Sequence, residues 1–288
     1  MRLLGKIIMI YIGIGTFAYA QEQASYKVNL EYKAYWGGFV IAKINSQTSL
    51  TPSEYELRAS YQVKGIAAMF NASANNTMAR GILNQNGEYR PKLYESIGNF
   101  GKLKYLNRAH FDPETLKVIN HEQELTLREN LEYIPIDEED KFGYDPMSLF
   151  LNMIMNPNFN QDYQEEYKER QFGGIFVSEQ SFLCDEWVVM KRESRSVFQG
   201  DATVCKIDGE RLAGGLRNTD PDKKRKRGRV DDDRDSRLWF GKMDGFDGMV
   251  PVYTEFPVGW GKVRIYLSDY SVEPIDGLSV VANNSEFE

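Results

Sequence analysis

Two histidines, two cysteines and a surplus of carboxylates are the residues of this 288-residue chain most able to do chemistry. His110 and His121 stand eleven residues apart. Zinc needs three or four ligands, and this pair supplies no recognisable zinc spacing. A nucleophilic triad would have to use one of the two, yet the chain has no Gly-x-Ser-x-Gly elbow. His110 lies in an alternating stretch on the side opposite Ala109 and Phe111, which points it to solvent. His121 sits in the polar run Asn120-His121-Glu122. Phosphate-cradling glycine loops are missing as well, since Gly209 stands alone and Gly214-Gly215 is a bare turn pair. Carboxylates are numerous enough for a glycosidase pair, but no spacing singles out two of them. The sequence therefore offers no catalytic residue, no metal site and no cofactor motif.

Cys184 and Cys205 are the only cysteines. A redox pair would call for Cys-x-x-Cys spacing or a helix N-terminus to hold a thiolate, and neither is present. A structural disulfide is the expectation for a chain that reaches an oxidising compartment. If the chain between them is a hairpin turning at Ser194-Arg195, position 184 stands opposite 205, where strand partners come close enough to bridge. A turn at Gln199-Gly200-Asp201 would break that register. Closing a loop of this length contributes about 3 kcal/mol in the chain-entropy model.

The compartment is read from the first twenty residues. Arg2 and Lys6 precede an apolar run from Ile7 to Phe17, and Ala18-Tyr19-Ala20 is a small-x-small cleavage site before Gln21. That layout predicts a secretory signal peptide over 1–20, too short for a comfortable membrane span. No cysteine follows the apolar run to carry a lipid, and no later stretch is apolar enough for a membrane helix. A soluble periplasmic protein cleaved near Ala20 is expected. The whole chain has a net charge of −7, and losing Arg2 and Lys6 takes it to −9. Phosphate backbones repel such a chain, which argues against a nucleic-acid partner.

The elements that must position any site are mostly strands. Tyr26, Val28, Leu30, Tyr32 and Ala34 alternate with polar residues, as do Tyr55, Leu57, Ala59, Tyr61 and Val63. Weaker repeats run through Leu103–Phe111 and Val263–Leu267. The pattern is that of strands with one packed and one wet face. Gly37-Gly38, Thr51-Pro52-Ser53, Asn86-Gly87, Gly98 and Asp112-Pro113 punctuate the runs, which predicts consecutive antiparallel pairing. One segment differs. Asp145-Pro146 opens Met147 to Met155 with a capping Asp and a Pro at the first helical position, and Asn156-Pro157 closes it. About ten residues of helix, apolar nearly all round, must be buried on most sides. A basic run, Lys223 to Arg229, abuts an acidic one, Asp231 to Asp235; the two compensate each other, which predicts a charged surface loop at about 218–236. The acidic half lacks the Gly and the distal Glu of a calcium loop.

Three landmarks in order carry a family resemblance: Tyr35-Trp36-Gly37-Gly38-Phe39-Val40-Ile41-Ala42, then Asp145-Pro146-Met147-Ser148-Leu149, then Leu238-Trp239-Phe240 leading to Val250-Pro251-Val252 and Gly261-Lys262-Val263. Together they resemble the domain-of-unknown-function 3108 family of exported bacterial proteins, from about Tyr26 to Leu267. Gly37-Gly38 looks like that family's first turn and Gly261 like the turn before its last strand. The loop from Lys223 to Asp235 departs from the family. The resemblance implies a periplasmic or envelope-associated, β-rich protein, similar to the open curved barrels of lipoprotein carriers and the spiral sheets of envelope-integrity proteins. It brings no catalytic residues.

The expected fold is a single β-rich domain over 21–288, a strongly curved antiparallel sheet of about twelve strands forming an open barrel or β-spiral around the helix that begins near Met147. The function expected of it is noncatalytic binding of a lipid-like molecule or a periplasmic protein partner, through the concave face or a sheet edge, in support of envelope integrity. Trp36, Phe39, Met147, Phe150, Met153 and Trp239 are the candidate liners; the alternative for each is a place in the ordinary core. A competing expectation is a hydrolase or modifying enzyme acting on envelope polysaccharide or peptidoglycan. It would require two or three carboxylates converging in a cleft, one with a raised pKa.

Overall fold

The alternating runs fold as strands in the computed structural model, which describes residues 25–65, 68, 73–156, 166–220, 236–258 and 261–275. The predicted signal segment and residues 221–235 of the predicted charged loop lie outside these. Seven strands follow one another first: β1 (Tyr26–Trp36), β2 (Phe39–Leu50), β3 (Glu54–Val63), β4 (Ser73–Leu83), β5 (Tyr89–Phe100), β6 (Leu103–Phe111) and β7 (Val118–Thr126). A short β8 (Leu131–Ile134), a 3-10 turn (Glu138–Asp140) and the helix α1 (Pro146–Met155) come next. The second group is β9 (Tyr167–Phe172), β10 (Phe176–Met190), β11 (Gly200–Asn218), β12 (Ser236–Gly241), β13 (Val250–Val258) and β14 (Gly261–Pro274).

All fourteen belong to one antiparallel sheet, ordered β7-β6-β5-β4-β3-β2-β1-β14-β13-β12-β11-β10-β9, with β8 on the far end of β11. Two meanders thus join where the first and last strands pair, Tyr26 opposite Pro274 through Trp36 opposite Val263. The count exceeds the expected twelve because β7 and β8 escape the apolar alternation. The inward side of β7 carries His121 and Gln123, and β8 has only four residues.

The ladder does not close; β7 and β9 are its edges. A strip at Lys141–Tyr144 lies between them. On one side Val118 N–H donates to Lys141 O (3.0 Å) and Gly143 N–H to Leu116 O (3.1 Å). On the other, Tyr144 N–H donates to Arg170 O (3.0 Å) and Phe172 N–H to Tyr144 O (2.8 Å). Side chains stitch the same seam: Gln123 Nε2 donates to Gly174 O (3.0 Å) and Asn107 Nδ2 to Gly173 O (3.5 Å), while His121 Nε2 on β7 holds Asn107 Oδ1 on β6 at 2.6 Å. Gly174 (φ +83°) is required here, because a Cβ would stand 1.7 Å from Asn107 Nδ2. Satisfying edge groups in this way removes the template for pairing with another chain.

The curled sheet is filled rather than hollow around α1. Leu149, Leu151, Met153, Phe172, Phe240 and Leu267 have no more than 1% of their surface exposed. The helix begins as expected: Asp145 Oδ1 accepts from Met147 N–H (2.9 Å) and Ser148 N–H (3.1 Å), with Pro146 at the first position. Asn152 fastens the helix to β5, accepting from Tyr89 N–H (2.7 Å) and donating to Tyr89 O (2.9 Å). Met249 N–H donates to Ile154 O (2.9 Å) at the other end. Cys184 and Cys205 are bridged as directly opposed partners of β10 and β11, Cα–Cα 4.0 Å. The chain between the strands turns at 191–199, centred on the expected Ser194-Arg195, with one bulge beside Cys184.

Candidate functional site

The six candidate liners separate. Trp36 and Phe39 face each other across the Gly37-Gly38 turn at the tip of the β1–β2 hairpin, 40% and 70% exposed. Met153 is buried, while Met147 and Phe150 are half-buried against the same core, the Phe150 ring 5.9 Å from that of Phe240. Trp239 starts an aromatic row that crosses four strands, Trp239–Tyr253 (4.7 Å), Tyr253–Tyr266 (4.9 Å) and Tyr266–Tyr35 (5.7 Å), with the Arg195 guanidinium 4.7 Å from the Tyr35 ring centre. Four of the six therefore pack with one core cluster; Trp36 and Phe39 stand outside it.

The titratable groups around the start of α1 are committed to structure. Asp145 is fully buried, and burial pushes its carboxyl up to about 6, against the pull of its hydrogen bonds from Ser148 and Met147. Ser148 Oγ donates to Asp145 Oδ2 and accepts from Tyr55 OH (2.5 Å). Gly81 leaves the room that Tyr55 occupies, since a Cβ there would stand 2.6 Å from the Tyr55 hydroxyl. Desolvation raises Tyr55 and Tyr94, with the neighbouring Asp145 charge adding to it. At the seam, burial and then the Lys141 charge lower His121, which favours the neutral ring. His110, between buried Ala109 and Phe111, faces the other way as expected. Among the described residues no three His, Cys, Asp or Glu side chains converge on a point where a metal could sit.

The described cavity lies on the opposite face of the sheet from α1. It is a trough of about 610 Å³ crossing β14, β1, β2, β3, β4 and β5. Strand register arranges its side chains in two ladders. One runs Asp269–Glu31–Asn45–Ser60–Asn76–Ile97, each residue directly opposite the next. The other runs Ser271–Asn29–Gln47–Arg58–Met78–Glu95. These positions alternate with the buried Val28, Thr48, Leu57, Ala79 and Tyr94, so they point away from the core.

Three of its four charges are matched by neighbours: Glu31 by Lys33 (3.5 Å) and Lys43 (3.9 Å), Glu95 by Arg108 (2.6 Å), Arg58 by Glu56 (2.6 Å); Asp269 has no ion pair among the described residues. Part of the second ladder is tied together, with Gln47 Nε2 donating to Asn29 Oδ1 (3.0 Å) and Asn29 Nδ2 to Ser271 Oγ (3.2 Å). Asn45, Ser60 and Asn76 make no side-chain hydrogen bond to any described residue. Sequence reading passed over the trough because each residue alone reads as an ordinary wet strand position. The signal is that carboxamides and serines, rather than Lys and Glu, recur there strand after strand, and only the register lines them up.

No family model matches the chain, and no curated protein matches it. No described helix is long and apolar enough to cross a membrane. Among solved structures, the chain is similar to a β-barrel-like protein of the domain-of-unknown-function 1849 family from Brucella abortus, with 9% sequence identity, a TM-score of 0.45, and coverage of 88% of this chain and 98% of that one.

Proposed function

We propose that the chain is an exported, noncatalytic protein of the cell envelope, akin to the domain-of-unknown-function 3108 family, that works by binding, and that its ligand or protein partner sits in the trough across β14 and β1–β5. The carrying observation is the pair of polar ladders that line a cavity of about 610 Å³ on a rigid sheet, a volume within the usual 300–1,000 Å³ range for ligand sites. The interior competes poorly for the same role, because Leu149, Leu151, Met153 and Phe240 occupy it. For a hydrolase, two described carboxyls have raised pKa values: Asp145 caps α1 with none of its surface exposed, and Glu169, raised by burial and by the Glu88 charge, has the Arg90 guanidinium pulling it back.

Photo-crosslinking in the native host tests this. A photoreactive amino acid placed at Asn76 should give a discrete adduct, and the same group at exposed Glu114, on the β6–β7 turn, should not. No adduct at Asn76, or equal adducts at both, would overturn the proposal.

A further inference from the structure

We infer that the trough takes a neutral oligosaccharide laid across the strands, an inference that rests on the trough being the binding site. Recognition of a sugar needs groups that donate and accept side by side, because each hydroxyl does both. Carboxamides and hydroxyls have that property, and Asn45, Ser60 and Asn76 present it as consecutive rungs with no partner among the described residues. Asn29 and Gln47 flank them, held in place by their mutual hydrogen bond of 3.0 Å, so less ordering accompanies binding.

Charge points to the same class. Three carboxylates and one guanidinium line the trough. Glu31, Glu95 and Arg58 each have an ion-pair partner within 3.5 Å, so an anionic ligand would have to displace the Arg58 pair, and of these four charges only Asp269, at the β14 end of its ladder, is without an ion pair among the described residues. An acyl chain would have to strip water from the unpartnered amides of Asn45 and Asn76 without replacing their hydrogen bonds, and the two ladders give it Met78 and Ile97 as their apolar side chains. Those two residues suit the C–H face of a pyranose ring instead. Geometry favours a polymer. Six strands spaced at about 4.8 Å set the ladder at about 24 Å end to end, and neutral polar groups occupy three consecutive rungs of each ladder, Asn45–Ser60–Asn76 and Ser271–Asn29–Gln47, as a chain of repeating sugars requires.

Isothermal titration and ligand-observed NMR on the oxidised protein provide the test. The probes are the tetrasaccharides of β-1,4-glucose, β-1,4-N-acetylglucosamine and α-1,4-glucose, with tetragalacturonate and a polar hexapeptide as contrasting arms. At least one neutral tetrasaccharide should bind saturably. The double variant Asn45→Ala, Asn76→Ala, whose circular dichroism and melting should match those of the parent, should weaken that binding by about tenfold or more. Binding only of the acid or the peptide, lost in the same variant, would overturn the saccharide assignment and leave the trough as the site. Saccharide binding untouched by the variant would overturn it too. Binding of no probe also overturns it, and the Asn76 crosslink then decides separately whether the trough itself survives.

Discussion

Asp145 is pulled in two directions. Capping α1 favours the carboxylate, which accepts from Met147 N–H, Ser148 N–H and Ser148 Oγ. Complete burial favours the neutral acid and prevails, holding the group up at about 6 against an ordinary 3.8. An acid raised in the folded state is a liability once ionised. Below about pH 4 both states hold the proton and nothing is lost; between about 4 and 6 the unfolded chain releases it first; above about 6 the folded protein carries the cost in full, on the order of 3 kcal/mol. Asp145→Asn keeps an oxygen for the two amides and removes the titration. Relative to the parent, its stability should therefore improve by about 3 kcal/mol between pH 4 and pH 7, read from urea unfolding at both values. Parallel pH profiles for the two proteins would refute this account of the cap.

At the scale of elements, the strip Lys141–Tyr144 and the β9–β10 turn decide whether the sheet's edges stay covered. Gly174→Ala puts a methyl into Asn107 in a left-handed backbone conformation (φ +83°), which breaks the contact between Asn107 and His121. A loss on the order of 3 kcal/mol is expected, with faster amide exchange at Tyr144 and Phe172, whose N–H groups donate across the seam. Unchanged exchange there would mean that the side-chain stitching is dispensable. The helix was legible in the sequence because Asp145-Pro146 is a local signal and the apolar run permits little else. The strands β1 and β3 were equally legible from period two. The seam was not, since its inward residues Asn107, His121 and Gln123 are polar and mimic a surface strand. The trough was hidden for a related reason: Asn45, Ser60 and Asn76 become neighbours only through the pairing of β2 with β3 and β3 with β4. Periodicity reports which way a side chain points, and register, which it does not report, decides what stands beside it.

At the scale of the whole molecule, the two meanders meet through β1 and β14, whose paired residues lie up to 248 positions apart in sequence, Tyr26 with Pro274. Such closure forms late and slowly, because a long loop's entropy is lost before its contacts are gained. The disulfide acts elsewhere. It joins β10 to β11 across a separation of 21 residues, wholly inside the second meander, so it restrains that half of the unfolded chain and leaves the β1–β14 junction to packing. Replacing both cysteines, Cys184→Ala with Cys205→Ala, should lower stability by about 3 kcal/mol without altering the far-ultraviolet dichroism or the binding in the trough, which lies on the other strands. The refolding rate should change little if the β1–β14 junction limits it, because mutations outside the late step act mainly on unfolding. Stopped-flow refolding of the two proteins under the same conditions separates the cases. A refolding rate that falls in step with the lost stability would show that the β10–β11 hairpin, not the meeting of the chain's first and last strands, sets the pace.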